Sequence, residues 1–163
     1  MFIIKRIVKI IFFLSLLLLF IPVFKEKKLE EKIDNMINDK KIESIYEGYL
    51  YIPKFNYKNL IKKDESVLDE NMIEMLNFSD DIGGNNIVLA GHNNRYVFNK
   101  LYSLDIGDEM VLSDFGTDYK YRVSELKYIK VDDFKELERD NSLVLITCTY
   151  DNQKRFIVIL ERE

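Results

Sequence analysis

From Ile10 to Phe24 every position except Ser15 is apolar, and Lys5, Arg6 and Lys9 stand ahead of the run. With Ile7 and Val8 joined to it and Lys9 snorkelling, the stretch reaches the length of a short membrane span. A cleaved leader is the alternative, but "IPVFKEKK" is bulky and charged where a small-x-small cleavage site would stand. Residues 1–24 therefore read as a retained membrane anchor. Lysines flank the run on both sides, so charge asymmetry does not assign its orientation. The next pattern is helical: Leu29, Ile33, Met36 and Ile37 recur at i, i+4, i+7 and i+8 among charged residues, which predicts an amphipathic helix within 25–45. It reads as a stalk packed lightly on the domain that begins near Tyr46, the alternative being an arm that lies over part of that domain.

From Tyr46 the period shortens. In "YEGYLYIPKFNYKNLI", Gly48 and Pro53 punctuate aromatic and β-branched residues, predicting a strand, a bend and a second short strand. "DESVLDENMIEMLNF" sets Leu68, Met72, Met75 and Leu76 at helical spacing behind Asp64 or Ser66 as cap, and predicts a helix. After Gly83-Gly84 comes a short buried strand, Asn86 to Ala90, that ends in a Gly-His-Asn-Asn loop. A turn over Asp105–Asp108 precedes another strand, "DYKYRVSELKYIK" alternates as an antiparallel strand does, and "VDDFKELERDNS" is a polar connection with room for one helical turn. Two strongly apolar strands, "LVLIT" and "RFIVILE", close the chain. Seven or eight short strands with few helices predict an all-β domain over 46–163, either a small closed barrel or a sandwich.

Composition narrows the class of function. With 163 residues and the first segment set apart, the chain has room for one compact domain, and 47% apolar residues give it a core. Lys5, Arg6 and Lys9 precede every acid, so the remainder is three charges more negative than the -4 of the whole chain. Such a domain repels phosphate backbones, which argues against a nucleic-acid partner. A single cysteine forms no intramolecular disulfide, and a free thiol in an exported protein calls for a reason.

That thiol, Cys148, ends the buried strand "LVLIT" and so stands at a rim. In a hairpin the end of one strand neighbours the start of the next, which brings Arg155 beside it across "TYDNQK". A fixed positive charge beside a thiol favours the thiolate, and a guanidinium can also hold a developing oxyanion. Acyl transfer by cysteine needs a general acid for the leaving amine, a task suited to histidine. The chain has one, His92, again where a buried strand gives way to a loop. Taken singly, each of the three reads more simply as a core thiol, a solvated imidazole and a surface charge; their joint placement at strand ends points to chemistry.

These residues resemble the sortases, Gram-positive cell-surface cysteine transpeptidases. Val144-Leu145-Ile146-Thr147-Cys148 is similar to that family's Thr-Leu-x-Thr-Cys motif, with Val in the first place. Ala90-Gly91-His92 resembles its small-Gly-His element, Arg155 its catalytic arginine, and the order His, Cys, Arg agrees. "GYLYIPKFN" is similar to the first strand of the family's barrel. The resemblance implies a closed eight-stranded β-barrel with one or two short helices, preceded by the membrane helix and stalk. It implies that Cys148 attacks the threonine carbonyl of an LPXTG-like sorting signal to form a thioester, that His92 protonates the departing amine and later deprotonates the acceptor, and that Arg155 holds the oxyanion or the peptide backbone. Ala90, Ile146 and Thr147 match positions near the peptide groove. The expected partners are a surface-protein sorting signal, a peptidoglycan-precursor amine and the cell membrane, crossed once with the catalytic domain outside. No cofactor is expected; Asp80, Asp81, Asp132, Asp133 and Glu136 are candidates for calcium, but no D-x-D-x-D-G loop accompanies them. The lack of a lid segment ahead of the barrel and of an apolar segment after Glu163 points away from the pilus-polymerising class. The rival readings are a membrane-anchored cysteine peptidase that uses water, an L,D-transpeptidase, which lacks its Gly-Cys-x-Arg type element here, and a binding barrel in which Cys148 is only core.

Overall fold

The computed structural model describes residues 2–39, 45–62 and 71–163. Among these residues one α-helix, α1 (Phe2–Ile37), is followed by eight strands: β1 (Gly48–Ile52), β2 (Tyr57–Lys62), β3 (Ile73–Met75), β4 (Asn86–Ala90), β5 (Glu109–Ser113), β6 (Asp118–Lys130), β7 (Ser142–Cys148) and β8 (Lys154–Arg162). They close into a barrel in the order β1-β2-β3-β4-β7-β8-β6-β5, with β5 returning to β1. The contacts β2–β3 and β4–β7 are parallel and the other six are antiparallel. Closure leaves no free edge to pair with another chain.

The alternation of side chains along each strand sorts the apolar residues into two clusters. Leu50, Ile61, Ile87, Leu89, Leu112, Leu143, Leu145, Val158 and Leu160 are fully buried in the barrel's interior. Their strand neighbours Val88, Val144, Ile157 and Ile159 point outward and are covered with Ile129 by Leu137, from the 3-10 turn Phe134–Leu137 between β6 and β7. Burial on both faces explains why "LVLIT" has no polar position before Thr147. Gly48 is required at the β1–β5 seam, where a Cβ would lie 1.9 Å from the carbonyl oxygen of Ser113.

The helix expected behind Asp64 or Ser66 falls partly on residues 63–70, outside the described residues, and its remainder is strand: Ile73 pairs with Ile61, and Met75 with Leu89. Ile73 and Met75 are buried in the barrel at i, i+2, filling the gap between β2 and β4. The demand for a strand at that place overrides a helical spacing carried mainly by Met and Leu, which suit either state.

One continuous helix spans the boundary expected between anchor and stalk, with Pro22 inside it. Its C-terminal half is an arm on the barrel, the alternative to the lightly packed stalk: Ile33 is buried against Leu60, flanked by Leu29, Met36, Ile37, Tyr49 and Phe115. Ion pairs fasten it along its length, Glu26 to Arg95 (2.6 Å) and Lys100 (3.1 Å), and Asp34 to Lys58 (2.9 Å). In the N-terminal half, Ile11, Phe12, Phe13, Leu17, Leu18, Val23 and Phe24 stand exposed. Among the described residues no helix is long and apolar enough to cross a membrane, so the span expected over 1–24 does not appear as one.

Candidate active site

The parallel register of β4 on β7 sets Val88 against Val144 and Ala90 against Ile146. The ladder continues one step past β4, because Gly91 N–H donates to Ile146 O (3.1 Å) and Thr147 Oγ1 donates to Gly91 O (2.8 Å). Cys148, two residues past Ile146 on β7, shares the outward face of Ile146, and His92 follows Gly91 at once in the loop beyond β4. On the other side of β7, Cys148 is paired with Arg155 of β8. Thr149 N–H donates to Lys154 O (3.1 Å), which makes the next pair the hydrogen-bonded one. Cys148 and Arg155 are thus a non-hydrogen-bonded pair, with Cα atoms about 4.5 Å apart and side chains close. Cys148 and Arg155 therefore stand side by side at the ends of β7 and β8, and His92 lies just past the end of the adjacent β4.

Cys148 is half-buried and His92 exposed, and both line an open groove of about 290 Å³ with Asn93, Asn94, Thr149, Tyr150 and Asn152. Arg155 is half-buried beside this groove without lining it; its guanidinium donates to Lys154 O (3.3 Å) and, among the described residues, meets no carboxylate. The cation is left unspent. The hairpin carrying Cys148 and Arg155 is short and closed on itself: Asn152, in the left-handed region at φ 58°, donates its N–H to Thr149 O (3.0 Å), while Asp151 accepts from Thr149 Oγ1 (2.5 Å) and Gln153 N–H (3.1 Å). Those bonds hold the Asp151 carboxyl below its usual range, the Thr149 hydroxyl contributing most.

The loop after β4 is equally specified. His92 O accepts from Asn94 N–H (2.9 Å) and Phe98 N–H (3.0 Å), and Asn94 Oδ1 accepts from the N–H groups of Tyr96 (2.8 Å) and Val97 (3.0 Å). Gly91 allows the turn to fold back, since a Cβ there would lie 2.6 Å from Val97 and 2.7 Å from Phe98. Asn93 accepts at Oδ1 from Asn99 (3.3 Å), while its Nδ2 is buried in the groove wall and has no partner among the described residues.

Of the three residues expected along the peptide groove, Ala90 and Ile146 are half-buried on the outward face. Thr147 is not: it is 2% exposed, and its hydroxyl is engaged with Gly91 O. Period-two alternation turns it into the barrel, so it is a clasp between strand ends and not a groove residue. Two of the acids considered for calcium, Asp80 and Glu136, are engaged elsewhere. Asp80 caps the N–H groups of Asn85 and Asn86 (2.9 Å each), and Glu136 pairs with Lys127 and with Arg139 (2.9 Å). Among the described residues no three His, Cys, Asp or Glu side chains converge as a metal site would require.

Sequence reasoning passed over the tyrosines. Tyr102 donates its hydroxyl to Cys148 O (3.1 Å), fixing the backbone of the thiol residue from the far side. Burial, then the neighbouring tyrosines, pushes its phenol up, keeping it a donor. Tyr102 stacks between Tyr150 (5.4 Å) and Phe156 (4.5 Å), and Tyr128 tilts against Phe156 (5.1 Å). Tyr102, Tyr128 and Tyr150 line a second open groove, of about 450 Å³, that shares Thr149 and Tyr150 with the first. Their spacing in sequence carries no period that links them.

Comparison with known proteins agrees with the fold. The family profile described as Sortase domain matches residues 50–163. A sortase A of Bacillus anthracis is 33% identical over 84 residues, which are 47% of this chain and only 40% of that relative's length. Among solved structures, the sortase D5 transpeptidase of Clostridium perfringens superposes with a TM-score of 0.67 at 25% identity, covering 85% of this chain and 98% of that one. Listeria monocytogenes sortase A gives a TM-score of 0.66 at 25% identity, over 72% of this chain and 87% of its own.

Proposed function

The chain belongs to the sortase family, whose members are cysteine transpeptidases, and from that premise we propose that it cleaves an LPXTG-like sorting signal after threonine and transfers the acyl group to an amine. The observation that supports this reading is the groove that His92 and Cys148 line together, with Arg155 paired to Cys148 across β7 and β8. The Cys148 thiolate attacks the threonine carbonyl carbon, and the tetrahedral oxyanion lies beside the guanidinium of Arg155. As the C–N bond breaks, His92 gives its proton to the departing amine and a thioester remains. The acceptor amine then loses a proton to His92 as it attacks the thioester, and the thiolate leaves. Ala90 and Ile146 lie along the approach to the sulfur, where they hold the signal peptide.

The acceptor is assigned as a peptidoglycan-precursor amine and the donor as a surface protein, so the barrel works outside the cell membrane. Residues 1–24 serve as the anchor, 25–45 as the connection to the barrel and 46–163 as the catalytic domain. The exposed apolar side chains of α1 support the anchor: fifteen helical residues reach about 22 Å, and Lys9 snorkelling with slight bilayer thinning covers the rest. No bound metal has a role in these steps.

The test is turnover of a fluorogenic LPXTG-like peptide with and without a small primary amine. Aminolysis product that disappears in Cys148→Ala is the expected result. Hydrolysis alone, unaffected by amine, would assign a peptidase, and binding of the peptide without turnover would leave only a binding barrel.

A further inference from the structure

The loop that carries His92 is held from outside the barrel by helix α1. Glu26 sends one carboxylate oxygen to Arg95 (2.6 Å) and the other to Lys100 (3.1 Å), and Glu30 stands 4.0 Å from Lys100. Arg95 lies three residues past His92 in the loop, and Lys100 in the 3-10 turn Asn99–Ser103 that receives it. The same turn supplies Asn99, whose Nδ2 donates to Asn93 in the histidine loop and to the Tyr150 hydroxyl (2.7 Å) in the cysteine hairpin. Burial alone would raise the Glu26 carboxyl, but its bonds to Arg95 and Lys100 outweigh that and hold it low and ionised. Lys100 is further seated over the Tyr57 ring, 4.9 Å from its centre. His92 itself is exposed on this loop, so its placement depends on how firmly 91–100 is held.

We propose that Glu26 is a positioning residue for His92: by bridging Arg95 and Lys100 it locks the histidine loop, and through Asn99 the cysteine hairpin, in the geometry that transfers protons. This rests on the reading of His92 as acid and base. It makes the helix leading from the apolar segment a working part of the active site. Each ion pair is partly exposed, so the clamp is worth the modest energy of such pairs and is weakened by salt.

The experiment uses the full-length chain in detergent micelles with the peptide and amine assay. Glu26→Gln lowers kcat about three- to tenfold, the range that two partly exposed pairs support, with KM for the peptide little changed. Amide exchange speeds up over 92–99 while β7 and β8 keep their protection. Glu26→Arg is worse, and adding Arg95→Glu recovers most of the loss. High salt lowers kcat of the unaltered chain but not of Glu26→Gln. An unchanged kcat in Glu26→Gln, or a fall accompanied by faster exchange throughout the barrel, would overturn the proposal. His92→Ala separates the two levels: if it is inactive while Glu26→Gln is not impaired, only the clamp fails, and if it retains full activity the assignment of His92 fails and the clamp with it.

Discussion

Among the described residues the Arg155 guanidinium meets only a backbone carbonyl, and a planar fork does what a point charge does not: it offers two aligned N–H groups to one oxyanion or carbonyl. Arg155→Lys is expected to lower kcat by about a hundredfold or more, the scale of losing an oxyanion donor, while the rate at which Cys148 is alkylated still shows an accessible thiol; wild-type turnover would remove Arg155 from the chemistry. The placement of Cys148 and Arg155 was legible in sequence because a hairpin brings its own strand ends together, and that of His92 because a buried apolar run stops just before it. Thr147 was misread for an instructive reason. One residue from the cysteine along a strand is the opposite face, and a motif read as a string ignores that reversal. Tyr102, Tyr128 and Tyr150 could not be read at all, since they meet only when β6, the 3-10 turn after the histidine loop and the β7–β8 hairpin converge.

The elements that position the site are fastened to each other at their ends. Thr147 joins β7 to the residue before His92, so Thr147→Val leaves the buried Gly91 carbonyl without that partner and is expected to cost about 1–3 kcal/mol in urea unfolding, together with a lower kcat from a looser histidine loop. Gly91→Ala forces Val97 and Phe98 aside; overpacking of this kind costs about 1–3 kcal/mol, and the displaced loop should lose activity well in excess of that seen with Thr147→Val. Equal activities in the two variants would contradict the account of the turn. At this scale the alternating β6 and the boundaries of β4 were legible, whereas β3 was not: three residues are too few for a period, and their state is decided by the vacancy between β2 and β4. The packing of α1 was open for a related reason, because an amphipathic stripe states that a face is covered without stating by what.

For the whole molecule, a closed barrel with one helix laid against it has its charges tied in short-range networks, and these give stability a direction in pH. The carboxyls of Asp80, bonded by the N–H groups of Asn86 and Asn85, and of Glu136, bonded by Lys127 and Arg139, sit below their ordinary values of 3.8 and 4.5. A group depressed in the folded state contributes stability above its unfolded value and loses it as pH falls through its folded one. The thermal midpoint should therefore be level from about one pH unit above 4.5 and fall steadily in stronger acid; a midpoint that rose on acidification would contradict these assignments. The helix has a last consequence. Phe24, the end of its exposed apolar stretch, precedes Glu26 by two residues, and two helical residues rise about 3 Å. With that stretch in lipid as proposed, no tether lifts the catalytic rim into the medium: it works at the altitude of the headgroups, and both reactants must be presented within a few ångströms of the leaflet to come within reach.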